Sequence, residues 1–117
     1  MTEEFSIETV AAGARSVVLR VRGRLDARSA PELFALSKRL ATEGRSLVLN
    51  LKGVSFIASS GVGALLALVE DYHQTAHIVR LAEVSPAVDS VIRLLNLDQF
   101  LTIDASEHDA VAALEAA

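Results

Sequence analysis

Two adjacent hydroxyls, Ser59 and Ser60, stand directly before Gly61 and an apolar stripe running through Val62, Leu65, Leu66, Val69 and Tyr72 or His73. Apolar residues three and four apart mark one face of a helix, so the pair sits where an extended segment hands over to a helix. The first helical turn leaves backbone N–H groups without partners and carries the positive end of the helix dipole, so an anion placed there is stabilised. Gly61 and Gly63 remove side chains from that turn and let a bulky partner come close to the backbone. A plainer reading is that Ser59 or Ser60 is simply the N-cap, worth ~0.5–2 kcal/mol, with glycine allowing the turn to form.

Other candidate groups fall into weaker patterns. Asp26, in Gly23-Arg24-Leu25-Asp26-Ala27-Arg28, reads as a turn residue whose carboxylate accepts a local N–H. Arg15, Arg20, Arg22, Arg24 and Arg28 cluster in one short section. On a half-buried strand such charges point at water; as a row they would offer a docking edge to an acidic partner. His73 and His77 are four apart, but the helical pattern ends between them, which leaves them as exposed polar residues rather than a metal pair. Glu70 and Asp71 are adjacent and therefore diverge on a helix.

Catalytic and nucleotide motifs fail on spacing. A nucleophile elbow needs Gly two residues before and after its Ser, whereas Ser60 has Ala58 and Val62 there and Ser59 has Ile57 before it. Gly61-Val62-Gly63 lacks the third Gly of a dinucleotide fingerprint, with Leu66 in its place, and no Gly-Lys-Ser/Thr element exists for a P-loop. Nothing assembles an active site, and no cofactor is expected.

The elements that must position these groups follow from periodicity. Leu47-Val48-Leu49 with Leu51 is apolar at consecutive positions, as in a strand covered on both faces, and reads as the central strand. A short crossing at 53–58 leads from it to Ser59. Upstream, Phe5 to Val10 alternates imperfectly, as an edge strand does, and Ala11-Ala12-Gly13-Ala14 is a turn. Val17, Leu19, Val21, Gly23 and Leu25 then share one face of a second strand, with Val18, Arg20, Arg22 and Arg24 on a wet outer face. Ser29-Ala30-Pro31-Glu32 has the form of a capping box opening a helix whose inner stripe is Ala30, Leu33, Phe34, Ser37, Leu40 and Ala41, with Gly44 to end it. Residues 77–84 form an interior strand, Ser85-Pro86 caps a third helix, Leu101 to Ile103 form a short strand, and Ser106 with Asp109 caps a final helix. Strands separated by helices imply parallel crossovers, while the opening hairpin adds one antiparallel strand. The expected fold is α/β: a mixed, mostly parallel sheet with an N-terminal hairpin and about four helices.

At 117 residues the chain is one domain, 1–117 with a core of about 5–115, and can bury roughly two-thirds of its unfolded surface. It has no cysteine, so it carries neither disulfides nor thiolate metal sites. The acidic start, Met1-Thr2-Glu3-Glu4, is no secretory signal, and no apolar run reaches the ~20 residues that cross a bilayer. A cytoplasmic location without membrane insertion is expected. The net charge of -4 and the lack of Trp argue against nucleic acid as a partner.

Taken together, Gly23-Arg24-Leu25-Asp26 before a helix, the strand Val48-Leu49-Asn50-Leu51, and the run from Val54 through Ser59-Ser60-Gly61-Val62-Gly63 to Leu66 resemble a STAS domain, specifically the stand-alone anti-sigma factor antagonists. The similarity covers Phe5 to Ala117, and the Ser-Ser-Gly segment is its most specific part. The resemblance implies Ser60 as phosphoacceptor, ahead of Ser59, and a partner-binding surface of Asp26, Ser59, Ser60, Gly61, Val62 and Gly63. It implies a non-enzymatic protein whose partners are an anti-sigma factor that is also a serine kinase of the GHKL type, which binds the ATP, and a serine phosphatase. One position departs: the family commonly has Asp two residues before the phosphoacceptor, where this chain has Ala58. Two other members of the resemblance class stay open. One is an unphosphorylated STAS scaffold subunit of another complex, such as an ABC-type lipid-transport system; the other is an anion- or nucleotide-binding STAS module.

Overall fold

The computed structural model describes residues 4–116; Met1-Thr2-Glu3, to which part of the N-terminal expectation applies, and Ala117 lie outside the described residues. The order of elements is β1 (Ser6–Ala11), β2 (Ser16–Leu25), α1 (Ala30–Ala41), β3 (Ser46–Ile57), α2 (Ser59–Gln74), β4 (Val79–Ala82), α3 (Pro86–Leu94), a 3-10 turn (Leu97–Gln99), β5 (Thr102–Asp104) and α4 (Glu107–Glu115). The five strands lie side by side in chain order, so β3 is the central one. β1 runs antiparallel to β2, and every other pairing is parallel.

Each face of the sheet is covered differently. Leu19, Leu49, Leu51 and Leu81 point to one side, where Leu33 of α1, Leu65, Leu68 and Tyr72 of α2, and Ile92 of α3 close over them. Val18, Val48 and Ala82 point to the other, where Ala110 and Leu114 of α4 form a second, smaller core. This corrects the expected wet outer face of β2: Val18 is buried, and only the Arg20-to-Arg24 half of that face meets solvent.

β3 is longer than its apolar run. The expected crossing over 53–58 is strand as far as Ile57, because the ten-residue β2 offers partners all along it: Gly23 pairs with Val54, Arg24 with Phe56 and Leu25 with Ile57. Only Ala58 separates β3 from α2. The register of this pairing shifts at Arg20/Arg22 and Gly23/Arg24. Gly23 makes the second shift possible, since its φ of +95° suits glycine and a Cβ there would lie 2.9 Å from Phe5 Cα.

The caps divide. Ser85 accepts from the N–H of Val88 at 3.4 Å, and Ser106 from that of Asp109 at 3.0 Å. The capping box expected at Ser29 does not form. The Ser29 hydroxyl instead donates to Arg24 O at 2.6 Å and accepts from Asp26 N–H at 3.0 Å, which locks the exit from β2. α2 also departs: its inner row is Gly61, Leu65, Leu68 and Tyr72, so Tyr72 rather than His73 enters the core, and the Tyr72 hydroxyl donates to Ser37 O at 2.6 Å.

Candidate functional site

The parallel strands β2 and β3 end level with each other, so Asp26 and Ala58 are the next residues along the same edge. The N–H of Ala58 donates to Leu25 O at 2.9 Å and ties the two exits together. In open α/β sheets, ligands and partners approach at this carboxyl edge. Ala58 is extended (φ -93°, ψ 172°) and is itself the N-cap of α2, which corrects the reading of Ser59 or Ser60 as cap. With a methyl group at that position no side chain caps the helix, although Val62 N–H reaches Ala58 O at 3.0 Å. Ser59 and Ser60 occupy the first two helical positions with both side chains exposed, and first-turn N–H groups without a capping side chain leave that end electropositive.

The two glycines of this turn have opposite roles. Gly61 faces inward: a Cβ there would meet Leu25 O at 2.5 Å and Ile57 Cγ1 at 2.9 Å. Its missing side chain lets α2 settle on the ends of β2 and β3; it is buried and does not itself face a partner. Val62 beside it is half-buried against the main core. Gly63 faces outward, with nothing within 4 Å of an added Cβ, and bares the backbone of α2. It lines a shallow apolar groove of about 450 Å³, in which Ala27, Pro31 and Phe34 face Ser60, Gly63 and Ala67. The α1 wall of this groove was not singled out from sequence. Its signal is the pair Pro31 and Phe34, three apart on one helix face.

Asp26 stands beside this groove and organises its loop. Its Oδ1 accepts from Arg28 N–H at 3.0 Å and Ser29 N–H at 3.3 Å, while its carbonyl takes Ala30 N–H at 2.8 Å. The Arg28 N–H, above all, holds the Asp26 carboxyl below the usual carboxylate range, with Ser29 and Arg24 adding to it against partial burial. Arg24 lies 3.8 Å from Asp26 Oδ2 and stacks over the Phe56 ring at 4.1 Å, so a partly exposed aromatic joins the same edge.

The arginine row is not uniformly free. Arg20 grips Glu107 through Nε at 3.1 Å and Nη2 at 3.2 Å and reaches Glu8 at 3.5 Å, holding α4 to the sheet. His73 lies in the last turn of α2 and His77 beyond its end, where Nδ1 is 3.3 Å from the Thr75 hydroxyl. Among the described residues no group of three or more His, Cys, Asp or Glu could hold a metal, and no helix is long and apolar enough to cross a membrane.

Comparison with known proteins identifies the family of the chain. The anti-sigma F factor antagonist of Lysinibacillus sphaericus is 29% identical over 109 residues, covering 92% of this chain and 91% of that protein. The anti-sigma factor antagonist SpoIIAA in its unphosphorylated form superposes with a TM-score of 0.77 at 26% identity, covering 97% of this chain and 98% of that one. The Bacillus cell fate determinant SpoIIAA in its phosphorylated form superposes at 0.69, again at 26% identity, over 94% and 98%. The model of the STAS domain matches residues 7–110, and the chain belongs to the STAS domain family.

Proposed function

We propose that this chain is an anti-sigma factor antagonist that docks through the Ser60 surface onto an anti-sigma factor and is released when Ser60 is phosphorylated. The observation that carries this reading is the exposed Ser60 hydroxyl on the first turn of α2, beside the outward-facing Gly63 and the apolar groove. Similarity along nearly the whole chain to SpoIIAA in both its phosphorylated and unphosphorylated forms supports it.

The chemistry is divided between partners. An anti-sigma factor that is a serine kinase of the GHKL type supplies ATP and the base, so the absence of a base beside Ser60 is consistent with a non-enzymatic role for this chain. A phosphoryl group adds about -1.5 to -2 charge. At the uncapped start of α2 the fold tolerates it, because dipole and N–H groups favour an anion. Inside a packed interface the same dianion must be desolvated or set against an acidic partner, which is costly. The switch therefore acts on binding and leaves the fold intact. A serine phosphatase restores the binding form, and the exchange takes place in the cytoplasm.

The test is incubation of the purified chain with ATP and the kinase-type anti-sigma factors of its own organism, followed by intact-mass and peptide mass spectrometry. One added phosphoryl group on Ser60, absent from Ser60→Ala, is the expected result. Complex formation without any phosphate, retained by Ser60→Ala, would instead identify an unphosphorylated scaffold.

A further inference from the structure

Among the described residues five large apolar side chains are exposed, and three of them, Leu94, Leu95 and Phe100, fall together at the end of α3 and around the 3-10 turn. Leu94 is 80% exposed and Phe100 67%. Scattered exposed leucines are ordinary, whereas apolar side chains gathered in one place mark an interaction surface. Here Leu97 and Phe100 face Leu66 and Val69 of α2 across a groove of about 400 Å³.

This groove continues the Ser60 surface. Ser60, Gly63, Ala67 and Glu70 are all exposed and lie three or four residues apart, so they form one solvent-facing ridge along α2. The groove beside Ser60 runs on the α1 flank of that ridge, and the groove beside Phe100 on the other flank. From Ser60 to Glu70 the helix rises only about 15 Å. A specific protein interface covers about 800 Å² on each partner, roughly 20–30 residues. The few residues around Ser60 fall well short of that, so a partner seated on them must reach further. Toward the sheet edge it meets Phe56, whose ring is already stacked against Arg24 at 4.1 Å. Along α2 it meets bare apolar side chains.

The charges at this second groove select the partner. Glu70 is the one charged residue in its lining, and Asp98 belongs to the turn that forms the far wall. Neither makes an ion pair among the described residues. Arg93, which also feels Asp98, is held by Asp89 at 2.9 Å. A second copy of this chain, with its net charge of -4, would bring more carboxylates to the rim. An apolar helix face flanked by lysine or arginine suits both the groove and its rim. We infer, on the basis of the docking proposed for Ser60, that the anti-sigma factor seats a basic amphipathic helix between α2 and the 3-10 turn.

Calorimetric titration of the cognate anti-sigma factor tests this with the parent chain, with Leu94→Ser and Phe100→Ser combined, and with Glu70→Lys, each alongside its thermal midpoint. All three replaced side chains are exposed, so the variants should keep the parent midpoint. The double variant should bind about tenfold or more weaker than the parent. Glu70→Lys should bind about threefold or more weaker at ~50 mM salt, with the deficit shrinking at ~500 mM as the charges are screened. Parent-like affinity in both variants would overturn the inference and leave the Ser60 docking standing, whereas a parent chain that does not bind at all would remove both. Should the double variant lose stability, Glu70→Lys decides alone, and parent-like affinity at low salt overturns the inference. A parent chain that sediments as a dimer, and becomes a monomer in the double variant, would assign the groove to a second copy instead.

Discussion

Gly61 and Gly63 are two residues apart in one helix, yet replacing each by alanine should move stability in opposite directions. At Gly61 the new methyl would sit 2.5 Å from Leu25 O, 2.9 Å from Ile57 Cγ1 and 3.0 Å from Leu25 Cγ. The Leu25 carbonyl cannot easily retreat, because it also accepts the N–H of Ala58 at 2.9 Å and belongs to the strand end paired with Ile57. Overpacking of this kind costs about 1–3 kcal/mol, and the better helix propensity of alanine returns at most about 1 kcal/mol. Because the nearest atom is a held backbone carbonyl at 2.5 Å, the cost falls in the upper part of that range, at about 2–3 kcal/mol, and Gly61→Ala should destabilise by about 1–2 kcal/mol on balance. At Gly63 the methyl meets open space, so only the propensity gain remains, and Gly63→Ala should stabilise by about 0.5–1 kcal/mol. Urea unfolding monitored by circular dichroism reads both. With a slope of about 1–3 kcal/mol/M, the midpoints of the two variants should separate by roughly 1 M with unchanged slope. Equal effects of one sign, or a neutral Gly61→Ala, would refute the packing argument.

Two further outcomes follow from the same geometry. Tyr72→Phe removes the hydrogen bond to Ser37 O and should cost about 1–2 kcal/mol in urea unfolding. Burial pushes the Tyr72 phenol above its ordinary value of 10.0, so its contribution is complete below that pH and is lost as pH rises through the higher folded value; the Phe variant should lose less stability between neutral and strongly alkaline pH. Ala58→Asp places an acceptor at an extended N-cap and should add about 1 kcal/mol near neutral pH, a gain that shrinks at pH ~3 as the carboxylate protonates. Thermal unfolding of Ala58→Asp at the two pH values checks it, and an equal gain at both would point to something other than a charged cap.

How far these features could be read from sequence depended on whether the cause was local. The element order, the central position of β3, and the Ser85 and Ser106 caps rest on neighbours within a few residues, and they were legible. The extension of β3 through Gly53 and Ser55 was not, because those residues punctuate a strand pattern and only the length of β2 makes them pair. The inward role of Gly61 was hidden for a related reason: a glycine carries no hydropathy signal, although 61, 65, 68 and 72 share one helix face. Ser29 looked like a cap because the pattern with Glu32 was present; in the fold its hydroxyl oxygen is turned to the Asp26 N–H instead of the first turn of α1, held there by its own donation to Arg24 O at the end of β2. Burial of Val18 and engagement of Arg20 both depend on α4, whose Glu107 is 87 residues further along the chain. At the candidate site, the serines and Asp26 were legible as residues, whereas the groove wall at Phe34 and the Arg24–Phe56 stack come from tertiary packing.

The central claim is that charge at Ser60 acts on binding and not on folding. The most direct measurement is a calorimetric titration of the cognate anti-sigma factor with the unmodified and the Ser60-phosphorylated chain, alongside the thermal midpoint of each. The prediction is an affinity at least about a hundredfold weaker for the phosphorylated chain, equivalent to about 2.7 kcal/mol, with a thermal midpoint no lower than that of the unmodified chain. Equal affinities, or a loss of binding that tracks a lowered thermal midpoint, would contradict it.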